Sequence, residues 1–189
     1  LHCDNCDTAW KAAVDGFKKV HAEHFPPEPG DTVYIPFWRI QADVEGMRLA
    51  SYKDLVQAAN LPKAIRKGWE ALPFFFWTPA FKIRPDRFLR LADQLTLTAP
   101  LEPMVPRIPK GRSFPVTLSA KEAAKGLMPS LISFVRPQRE FLDRIDQIRI
   151  KPKSFSLVYF PFGESPHEWI QRRFGIVIDK NTLRLAKSL

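Results

Sequence analysis

The alternation of apolar and polar residues along the chain predicts a mixture of helices and strands. Apolar residues recur at helical spacing over residues 8–24, so we expect an amphipathic helix there. From Thr32 to Val44 the chain becomes β-branched and aromatic, which is typical of a strand. Glu45-Gly46 is expected to turn this strand back into a second one over residues 47–50.

Between residues 52 and 97 the pattern predicts helices around one buried strand. Short helices are expected over residues 52–59 and 62–70. The segment 72–83 is apolar, aromatic and interrupted by proline, which favours a buried strand over a helix. Pro85 stands where the first turn of a helix accepts proline, and apolar residues then recur on one face as far as Leu95.

The rest of the chain begins with a proline-rich stretch and then repeats this mixture. Residues 98–115 contain five prolines and little periodicity, as expected of a connection that crosses the surface. Ser119-Ala-Lys-Glu122 is a capping box, in which the two end residues satisfy each other's free amide groups at the start of a helix. A strongly apolar strand is expected over residues 154–162 and a closing hairpin over residues 175–185.

These elements predict an α+β fold, with a mostly antiparallel sheet and helices packed on it. We expect two similar α+β subdomains, over residues 11–97 and 116–189, joined by the proline-rich connection at 98–115. Residues 1–10 form a separate unit, considered below with its two cysteines.

Three strand-like runs place a proline between aromatic residues: Tyr34–Trp38, Trp77–Phe81 and Tyr159–Gly163. Because proline cannot donate to a β ladder, each run should lie at a sheet edge or carry a bulge at its proline. Packing of the aromatic rings in the core is one interpretation of the motif. An aromatic groove for a peptide or an apolar ligand is the other.

Composition and charge narrow the class of protein. With 45% hydrophobic and 26% charged residues the chain has ordinary globular composition, so a folded, soluble protein is expected. The longest apolar run, residues 72–81, is about half of what a membrane-spanning helix needs, so no span is predicted. Two cysteines are too few for a secreted disulfide framework, which favours the cytoplasm.

The formal net charge of +9 raises the expectation of an anionic partner. Basic and aromatic residues interleave over residues 82–90 and 136–153, a pattern that suits contacts with phosphates and stacking on bases. However, Phe88, Phe141 and Phe155 fall on predicted core faces, where they could not stack. Nucleic-acid binding is therefore an alternative rather than the first prediction.

The first ten residues carry the strongest motif for a metal. Cys3 and Cys6 form a Cys-x-x-Cys pair preceded by apolar Leu1 and followed by Trp10. Two thiolates from one tight turn can bind one edge of a zinc tetrahedron, and a second pair of ligands must supply the other edge. This segment resembles the second knuckle of a zinc ribbon, and the resemblance implies that the other pair lies upstream.

His21 and His24 offer another way to complete the zinc site within the chain. They follow the cysteines as Cys-x-x-Cys-x14-His-x-x-His and would share one face of the predicted helix. The spacing departs from that of zinc fingers, so completion upstream is preferred, and a chain without metal is the third reading. The order of the three aromatic-proline motifs after the cysteines is similar to that in uncharacterised bacterial zinc-ribbon proteins, a resemblance that implies no activity.

No motif in the sequence predicts an enzyme. The glycines form no phosphate-binding loop, and Gly163-Glu-Ser-Pro-His167 lacks the second glycine of a nucleophile elbow. Asp143 and Asp146 lie near Arg139 and Arg144, as on a solvated charged face. We therefore expect a non-catalytic module that follows a zinc ribbon and binds a protein partner or supports an assembly. The alternative is a nucleic-acid-binding domain.

Overall fold

The computed structural model describes the backbone of residues 2–3, 8–13 and 16–185, and the side chains of residues 20–183. Its strands are β1 (His2–Cys3), β2 (Thr8–Ala13), β3 (Gly16–His24), β4 (Asp31–Glu45), β5 (Phe76–Pro79), β6 (Arg149–Glu164), β7 (Glu168–Gln171) and β8 (Ile176–Asp179). Its helices are α1 (Tyr52–Ala58), α2 (Pro85–Thr98), α3 (Ala120–Ala124), α4 (Leu127–Phe134), α5 (Gln138–Leu142) and α6 (Lys180–Leu185).

All the described strands belong to one sheet. The strand order is β1-β2-β3-β6-β4-β5, and β7 pairs with both β6 and β8. The pairs are antiparallel except that of β3 with β6, which is parallel. The predicted α+β class with a mostly antiparallel sheet is thus confirmed. Strands from residues 11–97 and from residues 116–189 lie side by side in this sheet, and the division into subdomains stays a prediction.

The long strands β4 and β6 form the centre of the sheet. Their register runs from Asp31 opposite Gly163 to Glu45 opposite Arg149. Successive side chains of a strand point to opposite faces, and in both strands each face is apolar. Phe37 and Phe160 belong to one core cluster, whereas Trp38 belongs to the other.

Helices cover both faces of the sheet. One core cluster contains buried residues of α1, α3, α4 and α5, and the other contains buried residues of α2, β7, β8 and α6. The predicted capping box at the start of α3 is confirmed, because Glu122 N–H donates to Ser119 Oγ and Ser119 N–H donates to Glu122 Oε2. Within the described residues, no helix combines the length and the apolar character needed to span a membrane.

The aromatic-proline motifs lie in the core. Pro79 ends the edge strand β5, as predicted, but β4 and β6 have neighbours on both sides. On the side of β4 away from β6, Tyr34 contacts residues 112–114, and pairing with β5 begins at Phe37. Pro36 lies in the gap between these two contacts. Pro161 of β6 likewise lies between the partners β3 and β7. The chain tolerates both prolines without a bulge because their missing N–H groups face gaps in the ladder.

Several local predictions were wrong. Residues 8–24 form the hairpin β2–β3 instead of a helix, with Ala13 paired to Gly16. Residues 47–50 do not pair back onto β4, because β6 occupies that side of the strand. Residues 62–70 form turns and bends rather than a helix, and the chain continues after β8 into α6 rather than into a second strand.

Candidate binding cleft

A cleft of about 670 Å³ opens on the face of the sheet that carries α1, α4 and α5, at the end of the β4–β6 pair. Its wall consists of α1, the turn after β4 and the segment from the end of α4 through α5. This volume lies within the usual range for sites that bind small molecules or the side chains of a partner.

The floor of the cleft is apolar and continuous with the core. Val135, Phe141 and Ile148 line it and are each buried, and Met47 and Ala58 are half-buried beside them. Because these side chains already pack on the core, an apolar group entering the cleft would exchange water for contacts with a fixed surface.

Asp54 is the buried charged group of the cleft. It lies in the first turn of α1, and its Oδ2 accepts hydrogen bonds from Ala50 N–H at 3.1 Å, Ser51 N–H at 2.9 Å and Ser51 Oγ at 2.8 Å. Arg48 Nε lies 2.9 Å from Oδ1. Oδ1 accepts no hydrogen bond of good geometry, so the contact with Arg48 is an ion pair. The carboxylate thereby caps α1 and fixes the turn that carries Arg48.

These contacts predict a pH dependence of stability. Burial alone would raise the pKa of Asp54, but the hydrogen bonds from Ser51 and Ala50 and the charge of Arg48 hold it below its usual value. A lowered folded-state pKa stabilises the protein above the unfolded pKa of about 4, and this contribution is lost as the pH falls through the folded pKa. We expect Asp54→Asn to cost about 1–2 kcal/mol at neutral pH.

Urea unfolding of the wild type and of Asp54→Asn at a series of pH values measures this contribution. The difference between them should hold from neutral pH down to the unfolded pKa of about 4 and shrink as the pH falls further. Using the difference removes the effect of other carboxylates that titrate in the same range. A difference that stays constant with pH would show that the Asp54 charge does not stabilise the fold.

Two further arginines are held at the rim by backbone carbonyls. Arg136 donates from Nη1 to the carbonyls of Ser133 and Val135, each at 2.8 Å, at the end of α4. Arg144 donates from Nη2 to Gly46 O at 3.2 Å. Within residues 20–183 neither guanidinium is ion-paired at 4.0 Å or less. Their charges remain available to a ligand, as do those of the exposed Glu140 and Asp143 of the same segment.

The predicted metal ligands are Cys3 and Cys6, with His21 and His24 as the alternative completion of the site. Cys6 lies outside the described residues, and only the backbone of Cys3, in β1, is described. The alternative ligands His21 and His24 lie in strand β3, where residues three apart point to opposite faces. His21 is exposed, whereas His24 is buried and its Nδ1 lies 2.8 Å from Arg107 O. Completion of one site by both histidines therefore does not fit this arrangement.

Within the described residues, no group of three or more His, Cys, Asp or Glu side chains could hold a metal ion. Zinc binding by Cys3 and Cys6 with an upstream pair stays a prediction. His167 is exposed in the connection between β6 and β7.

Two other polar clusters, mostly half-buried, connect elements away from the cleft. Asp93 of α2 accepts hydrogen bonds from Ser130 Oγ at 2.6 Å and from Ser133 Oγ, which ties α2 to α4. Burial raises the pKa of Asp93, while the two serine hydroxyls act in the opposite direction. Glu23 accepts a hydrogen bond from Arg39 Nη2 at 2.6 Å between β3 and β4. Both clusters join elements of the core.

Sequence patterns did not reveal the cleft, because its two walls are far apart along the chain. The sequence pattern assigns Asp143 and Arg144 to a charged face and Arg136 to a basic stretch. No motif in the sequence connects these residues with Arg48 or Asp54. Comparison with known proteins adds no relative: no family model matches the chain, and no curated protein or solved structure is significantly similar to it.

Proposed function

We propose that this chain is a non-catalytic module that binds a segment of a protein partner in the cleft between α1 and α5. The observation that carries the proposal is the apolar floor of Val135, Phe141 and Ile148 beneath a charged rim. Protein partners are commonly recognised by an apolar side chain seated in such a pocket, with polar groups around it that fix its orientation.

The contacts made by the charged side chains of the cleft support a binding function rather than a catalytic one. Asp54 and Arg48 are engaged with each other and with the cap of α1, and Arg136 and Arg144 are held by carbonyls. Side chains fixed in this way lose little further freedom when a partner binds. They would orient a peptide through hydrogen bonds and charge.

Filling the cleft tests the proposal. Ala58 is the last residue of α1 and lines the cleft, so we expect Ala58→Trp to occupy the space of the partner's apolar side chain. Peptides of about 12 residues would be selected from a random display library on the wild-type chain, and a selected peptide would be titrated by fluorescence anisotropy. The Kd should rise at least about tenfold in Ala58→Trp.

Ala124 provides the matched control. It is also the last residue of its helix, is half-buried and packs against the same core cluster as Ala58, but it does not line the cleft. Ala124→Trp should therefore bind the peptide like the wild type, and thermal melts would show that both variants fold. Equal affinity of both tryptophan variants for every selected peptide would reject the cleft as the binding site.

Nucleic-acid binding is the second candidate, favoured by the net charge of +9. Against it, no Phe, Tyr or Trp side chain in residues 20–183 is fully exposed, which limits the stacking on bases by which single strands are bound. Binding to duplex DNA that falls steeply with added salt would favour this candidate, whereas binding to a peptide that changes little with salt would favour the first.

The zinc-ribbon expectation and the cytoplasmic location belong to the same proposal. Cys3 and Cys6 would supply two thiolates to a structural zinc site completed upstream, and thiolates of this kind persist in a reducing compartment. In this proposal the zinc site stabilises the hairpin β2–β3, and the cleft binds the partner.

A further inference from the structure

The loop that follows α1, residues 61–69, is an exposed basic surface. Every residue from 62 to 68 is exposed, and the loop carries Lys63, Arg66 and Lys67 but no acidic residue. Ile65 lies among these cations with 45% of its surface exposed. An apolar side chain surrounded by positive charge complements a partner that is itself both apolar and acidic.

The loop is fixed along α1. Leu61 N–H donates to Val56 O at 2.9 Å, and Lys63 Nζ donates to the Tyr52 hydroxyl at 2.8 Å. The rings of Tyr52 and Trp69 lie 4.8 Å apart at 64°. Because these contacts order the loop before any partner arrives, binding to it costs less conformational entropy than binding to a free loop would.

The loop and the cleft lie on opposite sides of the same helix. Tyr52 and Val56 contact the loop, whereas Asp54 and Ala58 line the cleft, and successive helical residues are rotated by about 100°. Gln57 is exposed and lines the cleft on the side from which a segment would cross the helix. A helix with its side chains is about 10–12 Å wide, and an extended peptide advances about 3.3 Å per residue, so three to four residues would cross it.

The loop determines the sign of charge that the partner needs. Three arginines and three carboxylates line the cleft and balance one another, whereas the loop is positive throughout. A second copy of the chain is a poor partner because each copy carries a net charge of +9. Single-stranded nucleic acid is disfavoured because no Phe, Tyr or Trp side chain in residues 20–183 is fully exposed for stacking on bases.

We infer that the partner contributes an acidic peptide segment that crosses α1, an inference that rests on the proposed peptide-binding function. Its apolar anchor occupies the cleft, and acidic residues about three to four positions away pair with Arg66 and Lys67 on the loop. Lys63 is held against Tyr52 and orders the loop.

Charge reversal on the loop tests this inference. Peptides selected on the wild-type chain should share an apolar residue with at least two acidic residues about three to four positions from it. The Kd of a selected peptide for R66E/K67E should rise about tenfold at about 50 mM NaCl, and the difference should shrink at about 500 mM NaCl. R90E/K110E is the control, since it reverses one exposed arginine and one exposed lysine away from the cleft.

Each result has a distinct meaning. Equal Kd values for R66E/K67E and R90E/K110E would overturn the acidic-segment inference, while loss of binding in A58W alone would still support the proposed function. If A58W binds like A124W, the proposed function itself fails. Displacement of the peptide by a duplex oligonucleotide, whose own affinity falls in R66E/K67E, would identify the loop as a nucleic-acid surface and overturn the inference.

Discussion

Phe160→Ala is expected to lower the free energy of unfolding by about 3–5 kcal/mol, because it leaves a cavity at the centre of a core cluster. Phe160 is fully buried in β6. Its ring centroid lies 4.7 Å from that of Phe25, 5.2 Å from Phe37, 5.5 Å from Trp77 and 5.4 Å from Phe174. These neighbours come from strands and turns that cannot all close around the lost ring.

Urea denaturation followed by tryptophan fluorescence and circular dichroism would measure the effect. Phe155→Ala is the matched control, because Phe155 lies in the same strand but is half-buried near the start of the apolar run. We expect that control to cost about 1–2 kcal/mol. If the two substitutions cost the same, the ring cluster around Phe160 does not form a tightly packed centre.

Gly46→Ala is expected to cost about 3 kcal/mol, from backbone strain and a steric clash together. Gly46 has a φ of +83°, and a Cβ placed there would lie 2.5 Å from the carbonyl oxygen of Gln147. The obstacle is backbone, which cannot rotate away as the end of a side chain could. Since Gly46 lines the cleft and its carbonyl accepts from Arg144, affinity for a selected peptide should also fall.

Gly68→Ala distinguishes the contribution of backbone strain from that of the steric clash. Gly68 has a φ of +95°, but nothing lies within 4 Å of the position of its Cβ. This variant should therefore show only the strain of the backbone, about 1 kcal/mol, in the same denaturation experiment. Equal losses at both positions would mean that Gln147 moves aside and that the close approach beneath the cleft is not rigid.

Much of the fold follows from local sequence signals. Two helix starts are predicted by residues of the helix itself, without tertiary contacts. Ser119 and Glu122 form the capping box of α3, and Pro85 occupies the first turn of α2. The hairpin β2–β3 was missed because the apolar spacing fits a helix. The pairing of β3 with β6, a contact distant in the sequence, favours a strand over the helix that this spacing predicts.

The cleft could not be predicted in this way. Arg48 follows β4 and Asp54 lies in α1, whereas Arg136 and Arg144 lie just after α4 and α5, in the connections that lead to β6. Their proximity depends on the register that places Glu45 opposite Arg149. A register of this kind is set by the packing of both sheet faces, which no local pattern encodes.

The pairing of β4 with β6 also bears on how the protein is made. Contacts between residues so distant in sequence slow folding, since a long loop must close before they form. While the chain leaves the ribosome, the apolar strand β4 emerges more than a hundred residues before β6, its longest partner. In the interval this strand exposes unpaired backbone and aromatic rings to other nascent chains, which favours aggregation during synthesis.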